Sequence, residues 1–236
     1  MKNKRIIAAA MATGMAVSLA ACGGSASTTD TTGTADAATT EAAAATDGEG
    51  TGFTVQLGPN PETLDPALNA AVDGGNTLIT IEEPLLIIDE NNEIQPGQAE
   101  SYEVSDDGLV WTFHLRDGLK WSDGSDLTAE DYVYTIQRVL TPATAAQYVS
   151  MATDYIKNAQ EYYDGTATAD DLGVKALDDK TLEITLIQPT SYFIDILSMW
   201  TFSPVQKATV EANGDKWSTE ADTYICNGPF KIASMS

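Results

Sequence analysis

The sequence of 236 residues predicts a mixed α/β body. Apolar and polar residues alternate over Leu109–Leu115 and again over Leu182–Ile187, the mark of strands with one buried face. Between them Tyr132, Val133, Ile136, Val139 and Leu140 recur at helical spacing. Strands and helices follow one another irregularly and no internal repeat is visible, which argues against a doubly wound parallel sheet.

The chain opens with a segment that concerns address rather than fold. Lys2, Lys4 and Arg5 precede an apolar run from Ile6 to Ala21, broken only by Thr13, Gly14 and Ser18. That is the charged n-region and apolar h-region of a secretory signal peptide, and it is short for a membrane span of about 20 residues. The run ends in Leu19-Ala20-Ala21-Cys22, which resembles the bacterial lipobox. A lipoprotein signal peptide is therefore expected at 1–21, cut before Cys22, whose thiol and amino group become acylated. A tether is expected over 22–52. Its residues 23–51 hold no aromatic and no large aliphatic side chain, and 17 of those 29 are Ala or Thr. Such a stretch buries too little apolar surface to offset its ordering entropy. With Cys22 lipidated, Cys226 is left without a disulfide partner.

The folded body is expected over 53–236. Phe53-Thr54-Val55-Gln56-Leu57 alternates like a strand, and Gly58-Pro59-Asn60-Pro61 breaks it. Asn76–Ile88 is apolar-rich and predicts a short helix ended by Pro84 and then a strand, with a turn at Asp89–Asn92. Tyr102–Val104 and Leu109–Leu115 flank Ser105-Asp106-Asp107-Gly108, a hairpin signal. This places Leu109, Trp111, Phe113 and Leu115 on one face and Val110, Thr112 and His114 on the other, so His114 reads as a sheet-face residue. Thr128 can cap the next helix, the early Glu130 and Asp131 suit its positive end, and Thr141-Pro142 stops it. A second hairpin joins Val174–Leu177 to Leu182–Ile187 through Asp178-Asp179-Lys180. Helices are expected over Ser191–Met199 and Val205–Asn213, the latter capped by Gly214.

Charge and composition exclude several functions. Against 35 Asp and Glu stand 12 Lys and Arg, a net charge of −23 with pI near 4.1. Non-specific nucleic-acid binding needs a basic face to displace phosphate counterions, and docking on anionic lipid needs one too. A single His114 disfavours a His-rich metal site or a Ser/His/Asp triad. The acidic clusters Asp89-Glu90, Asp106-Asp107, Asp123…Asp126, Asp170-Asp171 and Asp178-Asp179 all fall at turns, and none has calcium-loop spacing. GxSxG, HExxH, the P-loop and GxGxxG are absent, so no catalytic residue, metal or cofactor is assigned and no enzyme activity is expected. Cys226, in an apolar neighbourhood, reads as a buried structural thiol. Most aromatics are expected in the core. Tyr148, beyond the helix-ending Pro142 and after the small residues Ala143–Ala146, is placed to reach into a groove.

Five stretches in one order then identify a family: Leu64-Asp65-Pro66, Trp111-Thr112-Phe113-His114-Leu115-Arg116, Lys120-Trp121-Ser122-Asp123-Gly124, Asp171-Leu172-Gly173-Val174-Lys175-Ala176-Leu177-Asp178-Asp179 and Asn227-Gly228-Pro229-Phe230. Together they resemble the bacterial extracellular solute-binding proteins of the oligopeptide/dipeptide/nickel class, over about Phe53 to Ser236. The resemblance implies a periplasmic-binding-protein-like (type II) lobe and a two-lobed receptor that closes by a hinge on an extended oligopeptide. It implies delivery of that peptide to the permease subunits of a membrane ABC importer, by a monomer held to the outer face of the cytoplasmic membrane by its lipid, with no nucleic-acid partner. The ligand-contacting loop after Leu-Asp-Pro aligns on Ala70, Ala71 and Val72, and the groove tyrosine on Tyr148. Close relatives can carry an acid where this chain has Ala70. Family members are a good deal longer, and a strand is expected to begin at Asn227–Phe230, so the resemblance covers the first lobe in part, and a body limited to it is expected to bind peptide weakly or not at all. Trp111, Phe113, Trp121, Asp123 and Gly124 read as fold determinants that do not touch ligand. Alternatives are a family receptor for a dipeptide, nickel chelate, haem or sugar, a surface glycan hydrolase using two carboxylates, or an adhesion module.

Overall fold

The computed structural model of the chain describes residues 59–235; the expected signal peptide, tether, Cys22 and strand at Phe53–Leu57 lie outside the described residues. Helix α1 (Val72–Ile81) is followed by strands β1 (Leu86–Ile88), β2 (Ile94–Pro96), β3 (Ala99–Val104) and β4 (Val110–Leu115), then by helix α2 (Ala129–Val139). Two short helices, α3 (Ser150–Thr153) and α4 (Ala159–Tyr163), lead to β5 (Val174–Asp178) and β6 (Thr181–Thr185). Helices α5 (Phe193–Leu197) and α6 (Lys207–Asn213) complete the series, with a 3-10 turn between them at Trp200–Phe202.

Strands β1 and β2 pair as a small hairpin, and the main sheet is antiparallel in the order β3-β4-β6-β5. Its register explains its two faces. Trp111 lies opposite Ile184 and Phe113 opposite Leu182, so the core side chains meet across the strands; Thr112 faces Glu183 and His114 faces Thr181 on the other side. His114 thus sits on the outer face as expected, with its Nε2 3.9 Å from Glu103 Oε1. The turn between β3 and β4 is closed by Gly108 at φ +72° and by Asp107, whose Oδ1 accepts from Ser105 Oγ at 2.6 Å and from the Leu109 N–H at 3.1 Å.

Helix α2 covers the inner face. Its start is fastened by the Thr128 N–H, which donates to Asp131 Oδ2 at 2.8 Å. Tyr132, Val133, Ile136, Val139 and Leu140 are all buried, joining Trp111, Phe113, Leu182, Ile184, Phe193 and Leu197 in one core. Each such side chain contributes about 1.5–3 kcal/mol by leaving water. A second cluster, Leu64, Leu78, Ile81, Val205, Trp217, Tyr224 and Cys226, packs behind α1. Thr135 joins the two: its hydroxyl donates to Asp131 O at 2.8 Å and accepts from the Val205 N–H at 2.9 Å.

Several elements differ from expectation. Helix α1 begins at Val72 and ends at Ile81, well before Pro84, because Glu82 is extended (φ −119°, ψ 144°). Helices α5 and α6 are shorter than expected; after Pro204 the chain stays extended through Gln206, with the Val205 N–H spent on Thr135. The strand expected to begin at Asn227–Phe230 pairs with no other strand among the described residues. Its polar groups are engaged elsewhere. Asn227 Oδ1 accepts from the Glu83 N–H at 3.0 Å while its Nδ2 donates to Glu83 O at 2.8 Å, and the Gly228 N–H donates to Ile81 O at 2.8 Å. Only glycine fits there, since a Cβ on Gly228 would lie 2.5 Å from the Ile81 carbonyl carbon.

Candidate ligand-binding face

The face begins at Leu64-Asp65-Pro66. Asp65 is buried, and Arg138 from α2 grips it with both nitrogens, Nη1 reaching Oδ1 at 2.9 Å and Nη2 bonding to Oδ2. The Asp65 carbonyl accepts from the N–H groups of Leu68 and Asn69, at 3.1 and 2.9 Å, and so turns the chain into the next loop. There Asn69 holds the loop together: its Nδ2 donates to Ala71 O at 3.1 Å and its Oδ1 accepts from the Ala71 N–H at 3.4 Å. Ala70, Ala71 and Val72 are left facing outward, Val72 at 75% exposure. Val72 belongs to the first turn of α1 rather than to the loop.

Tyr148 is carried to the same place from the other direction. It lies half-buried in the turn that enters α3, and the preceding Gln147 N–H donates to Ala67 O at 3.0 Å. Trp200 joins the two pieces. Its indole N–H donates to Asn69 O at 3.2 Å, and its ring meets Tyr148 edge-on with centroids 6.3 Å apart at 74°. The ring also lies against α1 at Gly75, where a Cβ would come within 2.8 Å of it. The structure therefore brings the sequence-derived residues Ala70, Ala71, Val72 and Tyr148 into one neighbourhood, and it adds Trp200. Nothing local to Trp200 in the sequence points to Asn69 or Gly75.

A cleft of about 490 Å³ continues from Trp200 along α1, walled by Ile79, Ile87, Ile88 and Met199. Two carboxyl groups line it, Glu82 and Asp195. Glu82 is buried, and burial pushes its pKa up to about 8 against the partial opposition of the Tyr224 hydroxyl and the nearby Asn227 N–H. The Asn227 N–H stands outside hydrogen-bonding geometry, so Oε2 has no partner. The Tyr224 hydroxyl lies 2.9 Å from Glu82 Oε1 and 3.0 Å from Leu64 O. One phenolic proton cannot serve two acceptors, and a protonated Glu82 resolves this by donating to the phenol oxygen. Sequence reasoning passed over Glu82 because its partner lies 142 residues away.

Apart from the exposed Asp195, this face offers largely apolar contact, and among the described residues no group of side chains could hold a metal ion. No described helix is long and apolar enough to cross a membrane.

The family of bacterial extracellular solute-binding proteins, family 5 Middle, matches residues 93–236, and the chain belongs to it. The periplasmic oligopeptide-binding protein OppA of Salmonella typhimurium is 43% identical over 176 residues, covering 74% of this chain and 32% of that protein. The oligopeptide-binding protein OppA of Bacillus subtilis is 38% identical over 186 residues, 78% of this chain and 34% of the relative. Among solved structures, Haemophilus influenzae OppA in complex with RPPGFSPFR superposes with a TM-score of 0.73 at 35% identity, covering 76% of this chain and 35% of that one. The fold is that of oligopeptide-binding solute-binding proteins, and the chain spans about a third of the length of the curated relatives it matches.

Proposed function

We propose that the chain supplies the first lobe of a substrate-binding lipoprotein that captures extracellular oligopeptides for an ABC importer. The observation that carries this is the juxtaposition of the exposed Ala70–Val72 segment with Tyr148 and Trp200, in a chain 43% identical to an oligopeptide-binding protein. A flat, uncharged shelf of this kind suits an extended peptide whose main chain is satisfied elsewhere. Ala70, Ala71, Val72 and Tyr148 are the proposed contacts, with no acid from this loop. Ligand stabilises the closed form of the two lobes by binding it better than the open one. The receptor acts as a monomer, anchored on the outer face of the membrane through lipidated Cys22, and has no catalytic role.

Calorimetric titration of the full-length receptor with tri- to penta-alanine peptides tests the capture. Saturable binding that weakens on Tyr148→Ala is expected; absence of peptide binding sinks the reading. The intact mass of the receptor from its native membranes, with a lipid adduct on Cys22, tests the anchoring separately.

A further inference from the structure

The cleft beyond Trp200 has a composition that the peptide shelf does not explain. Its walls are the side chains of Ile79, Ile87, Ile88 and Met199 and the Trp200 ring, while its only charged residues are two acids, Asp195 and Glu82. Asp195 is exposed, and its carboxylate has no hydrogen-bond or ion-pair partner among the described residues. Glu82 lies beneath, 3% exposed, with Oε2 unpartnered. Its other oxygen, Oε1, is engaged by the Tyr224 hydroxyl at 2.9 Å, so one buried polar atom at the floor of the cleft is left unsatisfied, which is costly.

We propose that this cleft is a subsite for a ligand side chain that is apolar along its stem and cationic at its tip, of the lysine type. The methylene stem lies along Ile79, Met199 and the Trp200 face. Asp195 makes the direct charge-assisted contact, and Glu82 Oε2, which lacks a partner, accepts a hydrogen bond from the same ammonium. The cation is the counter-charge that the described residues do not provide. An acidic side chain is rejected for the same reason. This subsite rests on the peptide-capture reading and extends it to a preference among peptides.

The test compares trilysine with trinorleucine, which has the same stem length and no charge, on the full-length receptor at physiological salt, where long-range attraction to an acidic chain is screened. Trilysine is expected to bind more tightly, and Asp195→Asn is expected to reduce that preference about tenfold or more. Glu103→Gln, which removes one negative charge from the outer face of the sheet, is expected to leave it unchanged. An equal loss in the Glu103 variant, or none in the Asp195 variant, overturns the subsite. In those cases binding of trinorleucine keeps the peptide-capture reading standing. Failure of both peptides and of the alanine peptides to bind removes that reading and the subsite with it.

Discussion

Arg138 and Asp65, 73 residues apart in the chain, form a paired-nitrogen, paired-oxygen contact in the interior, and the Arg138 guanidinium also lies 5.7 Å from the centre of the Trp217 ring. Asp65 is 2% exposed, so this is a desolvated pair whose separate halves are poorly tolerated. Arg138→Met is expected to cost about 3–5 kcal/mol, because it leaves a carboxylate buried without its counter-charge. Asp65→Asn combined with Arg138→Met is expected to cost clearly less than the two single changes added together. A double-mutant cycle by urea unfolding measures this, and strict additivity would contradict it.

Gly75 and Trp200 give a second test. Alanine in place of a helical glycine ordinarily stabilises by about 1 kcal/mol. At Gly75 the new Cβ meets the Trp200 ring at 2.8 Å, and overpacking of this kind costs about 1–3 kcal/mol. Gly75→Ala is therefore expected to lower the melting temperature alone and to raise it in a Trp200→Ala background. A stabilising effect in both backgrounds would mean that the ring does not rest on α1.

Glu82 makes stability depend on pH in an identifiable direction. Its carboxyl, ordinarily near 4.5, is raised to about 8 by burial, so the folded chain binds this proton more tightly than the unfolded chain. Stability is therefore highest below about pH 4.5 as far as this group is concerned, falls as pH rises from there to about 8, and levels off above. Glu82→Gln is neutral throughout and is expected to flatten the difference. Melting temperatures of the parent and the variant at intervals across that window should diverge with rising pH; parallel curves would contradict the assignment.

Cys226 is expected to be chemically quiet. It is buried, its Sγ lies 3.4 Å from Phe230 O, and burial raises its thiol above the ordinary value. Reaction with a thiol-specific disulfide reagent at pH 8 is expected to be slow in the folded protein and to accelerate greatly in urea. Rapid labelling of the native protein would place the thiol at the surface.

The elements with one-sided burial were legible in the sequence. Strand β4 and helix α2 repeat their apolar residues at a single period over six and eleven residues, and the turn residues Gly108 and Asp107 mark the hairpin unaided. Helices α3 and α4, of four and five residues, are too short for any period to register. The first turn of α1 contains Gly74 and Gly75, whose low helix propensity masked its start. At the candidate face, the local surroundings of Tyr148 and the family resemblance single it out in the sequence. Trp200, Glu82 and the Asp65–Arg138 pair are not singled out, because each acquires its role from a partner more than 70 residues distant. The Asn227-Gly228-Pro229 stretch misled for a related reason: its donors and acceptors turn toward the end of α1 instead of a neighbouring strand.

The single bond from Trp200 to Asn69 spans 131 residues of chain. A helix that carries two adjacent glycines and is seated on that ring has little reason to form before the ring arrives. The sheet and α2, whose pairings are closer in sequence, can be in place first. On the proposed function, the competence to hold a peptide is then a late acquisition in the folding of each molecule, because the face that would hold it is assembled after the sheet and α2 beneath it.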